Sequence, residues 1–168
     1  MRALALFLLL AACARDVAPP APVSFRQAGS PIASTTRGGP ADLAGEWVIS
    51  DAYPGGPIGG YATPGAALLI AAGPDGAGSW TFDPPGEGWV VLNSDPVGPG
   101  RFALAAAGSP QVWVLWVDDD FRTAAVGTPD GSLGWIMDRP GEASPDRTEA
   151  ARRMLEFNGY DLARLVGP

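Results

Sequence analysis

Apolar or alternating runs recur along the body of the chain, near 46–52, 66–72, 78–83, 88–94, 101–107, 111–117, 121–127 and 132–138. Short clusters separate them: Gly73-Pro74-Asp75-Gly76, Pro84-Pro85-Gly86, Asp95 to Gly100, Gly108-Ser109-Pro110, Asp118 to Asp120, and Thr128 to Gly131. Proline supplies no ladder donor and glycine tolerates positive φ, so such clusters stop strands and build turns. The pattern predicts eight antiparallel strands joined in chain order. Eight strands suffice for an up-and-down barrel whose interior holds one small ligand or is filled by side chains.

In such a meander, successive connections alternate between the two ends. The start of the first strand (Gly45, Trp47), the turn Asp118 to Phe121 and the end of the last strand (Arg139) therefore share one end. An indole and a guanidinium brought together there stack by cation–π attraction, worth about 0.5–2 kcal/mol. Gly45, Trp47, Asp119, Asp120, Phe121 and Arg139 are accordingly expected to close the barrel floor. The opposite mouth receives the longest connection, Tyr53 to Gly65, framed by glycine and proline. Such a loop is either a lid or a plain surface excursion.

Alternation then selects the inward side chains. Trp80/Phe82, Phe102/Leu104 and Trp135/Met137 have smaller or polar alternate neighbours, and Ile49 shares the parity of Trp47. In the sixth strand both faces are apolar, Trp113/Leu115 against Val114/Trp116, and one of them lies under a helix. We place Trp113 and Leu115 with the inward set. Beyond the strands, Ser144 is a good N-cap, Pro145 fits the first helical position and Asp146 complements the helix dipole. Ala150, Met154 and Phe157, with Ala151 and Leu155 beside them, form an apolar stripe that ends at Asn158-Gly159. Glu149 and Arg153 are spaced for an i, i+4 pair.

Three of these elements, Gly45-Glu46-Trp47, the Asp119-Asp120-Phe121 turn and the isolated Arg139, stand in the order of the lipocalin signatures. Over roughly residues 41 to 166 the chain resembles that family, and most closely its bacterial outer-membrane lipoprotein branch. The turn departs from the family's Thr-Asp-Tyr pattern by losing both hydroxyls. The resemblance implies an all-β, eight-stranded antiparallel up-and-down barrel with one C-terminal helix packed on its outside. It also implies a small apolar or amphiphilic ligand inside. Gly159-Tyr160-Asp161 is similar to that branch's Gly-aromatic-Asp. Residues 66 to 107 match nothing specific, so no ligand identity carries over.

The N-terminus adds an address. Arg2 followed by the apolar run Ala3 to Ala12 is too short to span a bilayer and suits a signal peptide, residues 1–12. Leu10-Ala11-Ala12-Cys13 resembles a bacterial lipobox, which makes Cys13 the expected lipidation site. Ala14 lacks the aspartate that retains lipoproteins in the inner membrane of enteric bacteria, so the expected location is the outer membrane, facing the periplasm. Residues 13–40, rich in Pro, Ala, Ser and Gly, read as a lipidated N-terminus and flexible tether, from which Phe25 and Ile32 could dock on the barrel. Residues 41–168 are left for the barrel and its helix.

Composition narrows the chemistry. The chain has no His, no Lys and one Cys, which removes histidine-based triads, Schiff bases, a P-loop lysine and any intrachain disulfide. No catalytic residues, metal ligands or cofactor are expected. The Asp118-Asp119-Asp120 run lacks the alternating oxygen ligands of a calcium loop and reads as a solvated turn. A net charge of −7 disfavours nucleic acid. Two functions stay open: capture of a fatty acid or lysophospholipid inside the barrel, or a structural envelope lipoprotein whose barrel is filled by its own side chains. The oligomeric state is not encoded in any pattern seen here.

Overall fold

The computed structural model describes residues 23–56 and 58–167. Its strands are β1 (Gly45–Ala52), β2 (Ala67–Ala72), β3 (Gly78–Asp83), β4 (Val90–Gly98), β5 (Arg101–Leu104), β6 (Gln111–Val117), β7 (Thr123–Gly127) and β8 (Gly134–Asp138). They close into one antiparallel barrel in chain order. A one-turn helix α1 (Pro40–Leu43) leads into β1, and α2 (Pro145–Phe157) follows β8. The first half of β1 pairs with β2 and its second half with β8, where Val48 faces Asp138 and Ala52 faces Trp135. That seam joins the first strand to the last. The expected barrel with one outer helix is the observed fold.

Strand limits moved where a bulge intervened. β4 continues to Gly98, through a stretch expected to be turn, because a bulge between Pro96 and Gly98 carries the ladder past the proline. β5 stops at Leu104, where the Ala106 N–H turns back to the Leu104 carbonyl.

The alternation of burial follows from a filled inside and a wet outside. Leu68 and Ile70, Trp80 and Phe82, and Phe102 and Leu104 are buried, while their neighbours are partly or fully exposed. β7 and β8 are buried on both faces because α2 covers them. Ala125 and Ile136 there meet Ala151 and Leu155 of the helix, and the small Ala125 lets the helix approach closely. The helical stripe is thus centred on Ala151 and Leu155, one residue away from the expected Ala150, Met154 and Phe157. Phe157 is 75% exposed.

The N-terminal segment corrects the tether. Residues 24–39 are strapped along the barrel. Phe25 is buried against Tyr53, with ring centroids 5.0 Å apart, and its N–H donates to the Gly131 carbonyl. Arg26 gives its guanidinium to the carbonyls of Asn158, Pro129, Ser30 and Pro31. Thr35 donates from its backbone to Val114. Sequence composition hid this because the strap binds through backbone groups and one arginine, without an apolar period of its own. Ile32 joins the outer cluster with Phe25, as expected. At the far end, Ala52 and Val166 exchange two backbone hydrogen bonds, and Arg164 donates to the Ser24 carbonyl at 2.8 Å. The signal peptide and Cys13 lie outside the described residues.

Candidate functional site

Inside the barrel, Ile49, Trp80, Phe82, Phe102, Leu104, Trp135 and Met137 share one apolar cluster, as the alternation predicts. Trp80 lies 5.5 Å from Phe102 and 6.1 Å from Trp135, and Phe82 also meets Trp135 edge-on at 6.1 Å. Edge-to-face contacts at such separations are favourable beyond the area they bury. Ile49, Trp80, Phe82, Trp135 and Met137 have no surface that a water molecule could touch. Two polar atoms break the apolar character. The indole N–H groups of Trp80 and Trp135 are buried among these side chains with no acceptor among the described residues.

Trp113 and Leu115 do not belong to this set. Val112 and Val114 are the inward residues of β6, and a bulge between Val114 and Trp116 then shifts the parity so that Val117 also faces inward. Leu115, Trp113 and Trp116 pack on the outer cluster beneath α2 and the strap. Arg101 stacks on Trp113 at 4.0 Å.

The floor forms largely as expected. The Arg139 guanidinium lies 3.9 Å from the centre of the Trp47 ring and donates to the carbonyls of Phe121, Glu46 and Asp42. Trp47 is 1% exposed, and its indole donates to the Leu43 carbonyl at 2.8 Å. Gly45 has φ +108°, and a Cβ there would sit 2.9 Å from the Arg139 guanidinium. Both facts require glycine before this tryptophan. Phe121 takes a left-handed turn conformation (φ 56°) with its ring partly buried against the core.

The floor carboxylate is Asp118, which replaces the expected Asp119 and Asp120. Asp118 accepts from the backbone N–H groups of Arg122 (2.5 Å) and Thr123 (2.7 Å) and from the Arg122 side chain (3.1 Å). Its burial opposes ionisation, yet these donors together hold the carboxyl below its ordinary range. Asp119 and Asp120 point outward and pair with Arg37 and Arg122. Three consecutive aspartates give no period from which to choose the buried one. Thr123 closes the turn, its N–H donating to Asp118 and its hydroxyl to the buried Asp138 at 2.5 Å.

The mouth is covered. Residues 58–66 fold over it, with Ile58, Ala62 and Ala66 buried in the same cluster as the interior tryptophans. The Ala62 N–H bonds the Ile58 carbonyl, and the Gly65 N–H bonds the Ile49 carbonyl at 2.8 Å. Of the two open readings of this loop, the covering one is observed. Below the rim, Tyr160 fills a groove left by Gly127 and Gly134. It donates to the Leu133 carbonyl (2.6 Å) and accepts from the Thr128 N–H (2.7 Å). Burial pushes its phenol up to about 12.

Residues 100–168 match the family model of the lipocalin-like domain. That span, somewhat under half of the chain, runs from β5 through the Asp118 turn, Arg139, α2 and Tyr160. No curated protein matches the chain. Match and closed barrel together support the lipocalin resemblance, and a lipocalin-like barrel suggests binding of a small hydrophobic molecule.

Proposed function

We propose that the chain is an envelope lipoprotein, acylated at Cys13 and held at the outer membrane facing the periplasm, that binds a fatty acid or lysophospholipid inside its barrel. It acts by binding, for storage or transport, and not by catalysis. The observation that carries this reading is the pair of acceptorless indole N–H groups, those of Trp80 and Trp135, inside an apolar, covered barrel interior. A buried donor without a partner costs about 1–3 kcal/mol, so a barrel built for stability alone is better served by Leu or Phe at positions 80 and 135. A carboxylate or ester oxygen brought among these side chains would supply an acceptor that the protein itself does not offer these donors. Entry requires residues 58–66 to lift, which withdraws Ile58 from the chamber. Burying about ten methylenes yields roughly 8 kcal/mol gross, before the cost of lifting the loop and immobilising the ligand. Net affinity is therefore expected to be micromolar or weaker.

The second reading, a structural lipoprotein with a filled barrel, is favoured by the close contacts among Trp80, Phe82, Phe102 and Trp135. Titration with a fluorescent fatty-acid analogue separates the two. Ligand capture expects one-site saturation, its loss in Phe102→Arg or Leu104→Arg, its retention in Glu149→Arg, and tighter uptake in Ile58→Ala. A filled barrel expects no saturation in any variant and only a stability loss for Ile58→Ala. The anchor has its own test, in which labelled palmitate enters the wild type and not Cys13→Ser. Label in both proteins, or in neither, would refute acylation at Cys13.

A further inference from the structure

The two ends of the barrel differ in character. The four connections at the mouth, residues 53–66, 84–89, 105–110 and 128–133, carry two charged side chains, Glu87 and Asp130. Asp130 is engaged within its own turn by the Ser132 N–H and hydroxyl. The connections at the floor, residues 73–77, 99–100, 118–122 and 139–144, carry seven, five of them acidic. Exposed large hydrophobic side chains follow the same division. Trp89 (70% exposed) and Phe157 (75%), with Val23 and Val166, lie at the mouth end, Val91 is just below the rim, and Leu69 is mid-wall. Among the described residues, only Val97 of this group lies near the floor. Beside Trp89 an apolar groove of about 290 Å³ runs down the wall past Leu69 and Val48 and reaches Glu46 and Pro140 at the floor end.

The chain also enters at the mouth. The Ser24 hydroxyl bonds the Asp130 carbonyl and the Phe25 N–H bonds Gly131, both in the turn between β7 and β8. Cys13 stands eleven positions before Ser24, so an anchor there is held within about 40 Å of the mouth even at full stretch. A floor-first pose would spend roughly 25 Å of that reach along the barrel, the length of a seven-residue strand such as β6.

We propose that the barrel docks mouth-down on the bilayer that holds its anchor. Trp89 and Phe157 lie at headgroup level, and the acidic floor faces away. The proposal rests on the anchoring read for Cys13. Tryptophan favours the membrane interface because its ring is amphipathic. An acidic surface is repelled by anionic lipid, and the mouth end, where Arg26 and Arg164 offset Glu156 and Asp161 beside Glu87 and Asp130, is repelled less than the floor. In this pose the loop over the chamber opens onto lipid, where a fatty acid or lysophospholipid resides.

The test couples the chain from Cys13 to Pro168, through its cysteine thiol, to a maleimide-headgroup phospholipid. The vesicles are phosphatidylcholine with or without brominated phosphatidylcholine, and vesicle-bound protein is recovered by flotation. The share of emission due to Trp89 is obtained by difference from Trp89→Phe. Expected is loss of that share in brominated vesicles, together with full emission from the indole introduced by Val97→Trp in the Trp89→Phe background. Unquenched Trp89, or equal or greater quenching at position 97, overturns the docking. Because the thiol is coupled chemically, a failure of acylation in cells leaves this result standing, and the palmitate experiment is equally independent of it.

Discussion

At the scale of single residues, two side chains carry the floor. Trp47 combines full burial, a backbone hydrogen bond and the Arg139 stack. Trp47→Ala should lower stability by roughly 3–5 kcal/mol in urea unfolding, as for other large buried aromatics, while Asp119→Asn, on an exposed side chain, should shift the midpoint little. Asp118 brings a pH dependence. Its folded-state carboxyl is depressed, so its stabilisation is complete above the unfolded value near 4 and fades as pH falls through the folded value. Urea midpoints of the wild type should therefore drop below about pH 4, and Asp118→Asn should lose that portion of the slope. Gly45, Trp47, Phe121 and Arg139 were legible in the sequence because strand parity alone puts them at one end. Asp118 was not, since choosing among three adjacent aspartates depends on the turn's backbone donors.

At the scale of elements, the decisive unit is α2 with the turn that follows it. Ala151 and Leu155 seat the helix on β7 and β8, and Tyr160 then reaches back through the space above Gly127 and Gly134. Tyr160→Phe keeps the ring but strands the Thr128 N–H, so a loss of about 1–3 kcal/mol is expected from calorimetry or denaturant titration. Gly127→Ala should be worse, because its methyl would lie 2.5 Å from the phenol oxygen. Strand alternation was readable wherever one face was wet, as in β3 and β5. It failed in β6, where both faces are apolar and covered, so that alternation could not choose between them, and Trp113 and Leu115 lie on the outside. The strap of residues 24–39 escaped for a different reason. Docking of Phe25 and Ile32 was foreseen, but the rest of its attachment uses main-chain hydrogen bonds and the Arg26 guanidinium, which apolar pattern does not encode.

At the scale of the molecule, the barrel has one acidic, tightly bonded end and one less charged, covered end. The eight-strand count and the closing seam were implicit in the turn punctuation, because every connection but that from β1 to β2 is short enough to force neighbours to pair. Whether the chamber would be open or filled was not implicit. That depends on how Trp80, Phe82, Phe102 and Trp135 interdigitate across strands distant in sequence, and on Ile58 descending from the loop. Capture of a fluorescent fatty acid, strengthened in Ile58→Ala, is the expectation that belongs to this scale.

The hydrogen bond from Arg164 to the Ser24 carbonyl brings the two extremities of the fold side by side. A chain whose extremities touch can be cut elsewhere and rejoined. A circular permutant in which a short glycine-serine linker leads from Gly167 to Ser24, with new ends in the exposed turn at residues 73–77, should keep the barrel. Its near-ultraviolet circular dichroism, which reports the tryptophan cluster, should match that of the parent. A permutant opened instead between Asp118 and Thr123 should lose that signal, because it severs the turn that binds the floor. The barrel is in this sense a ring, and the junction between Gly167 and Ser24 is one of several places where it can be opened.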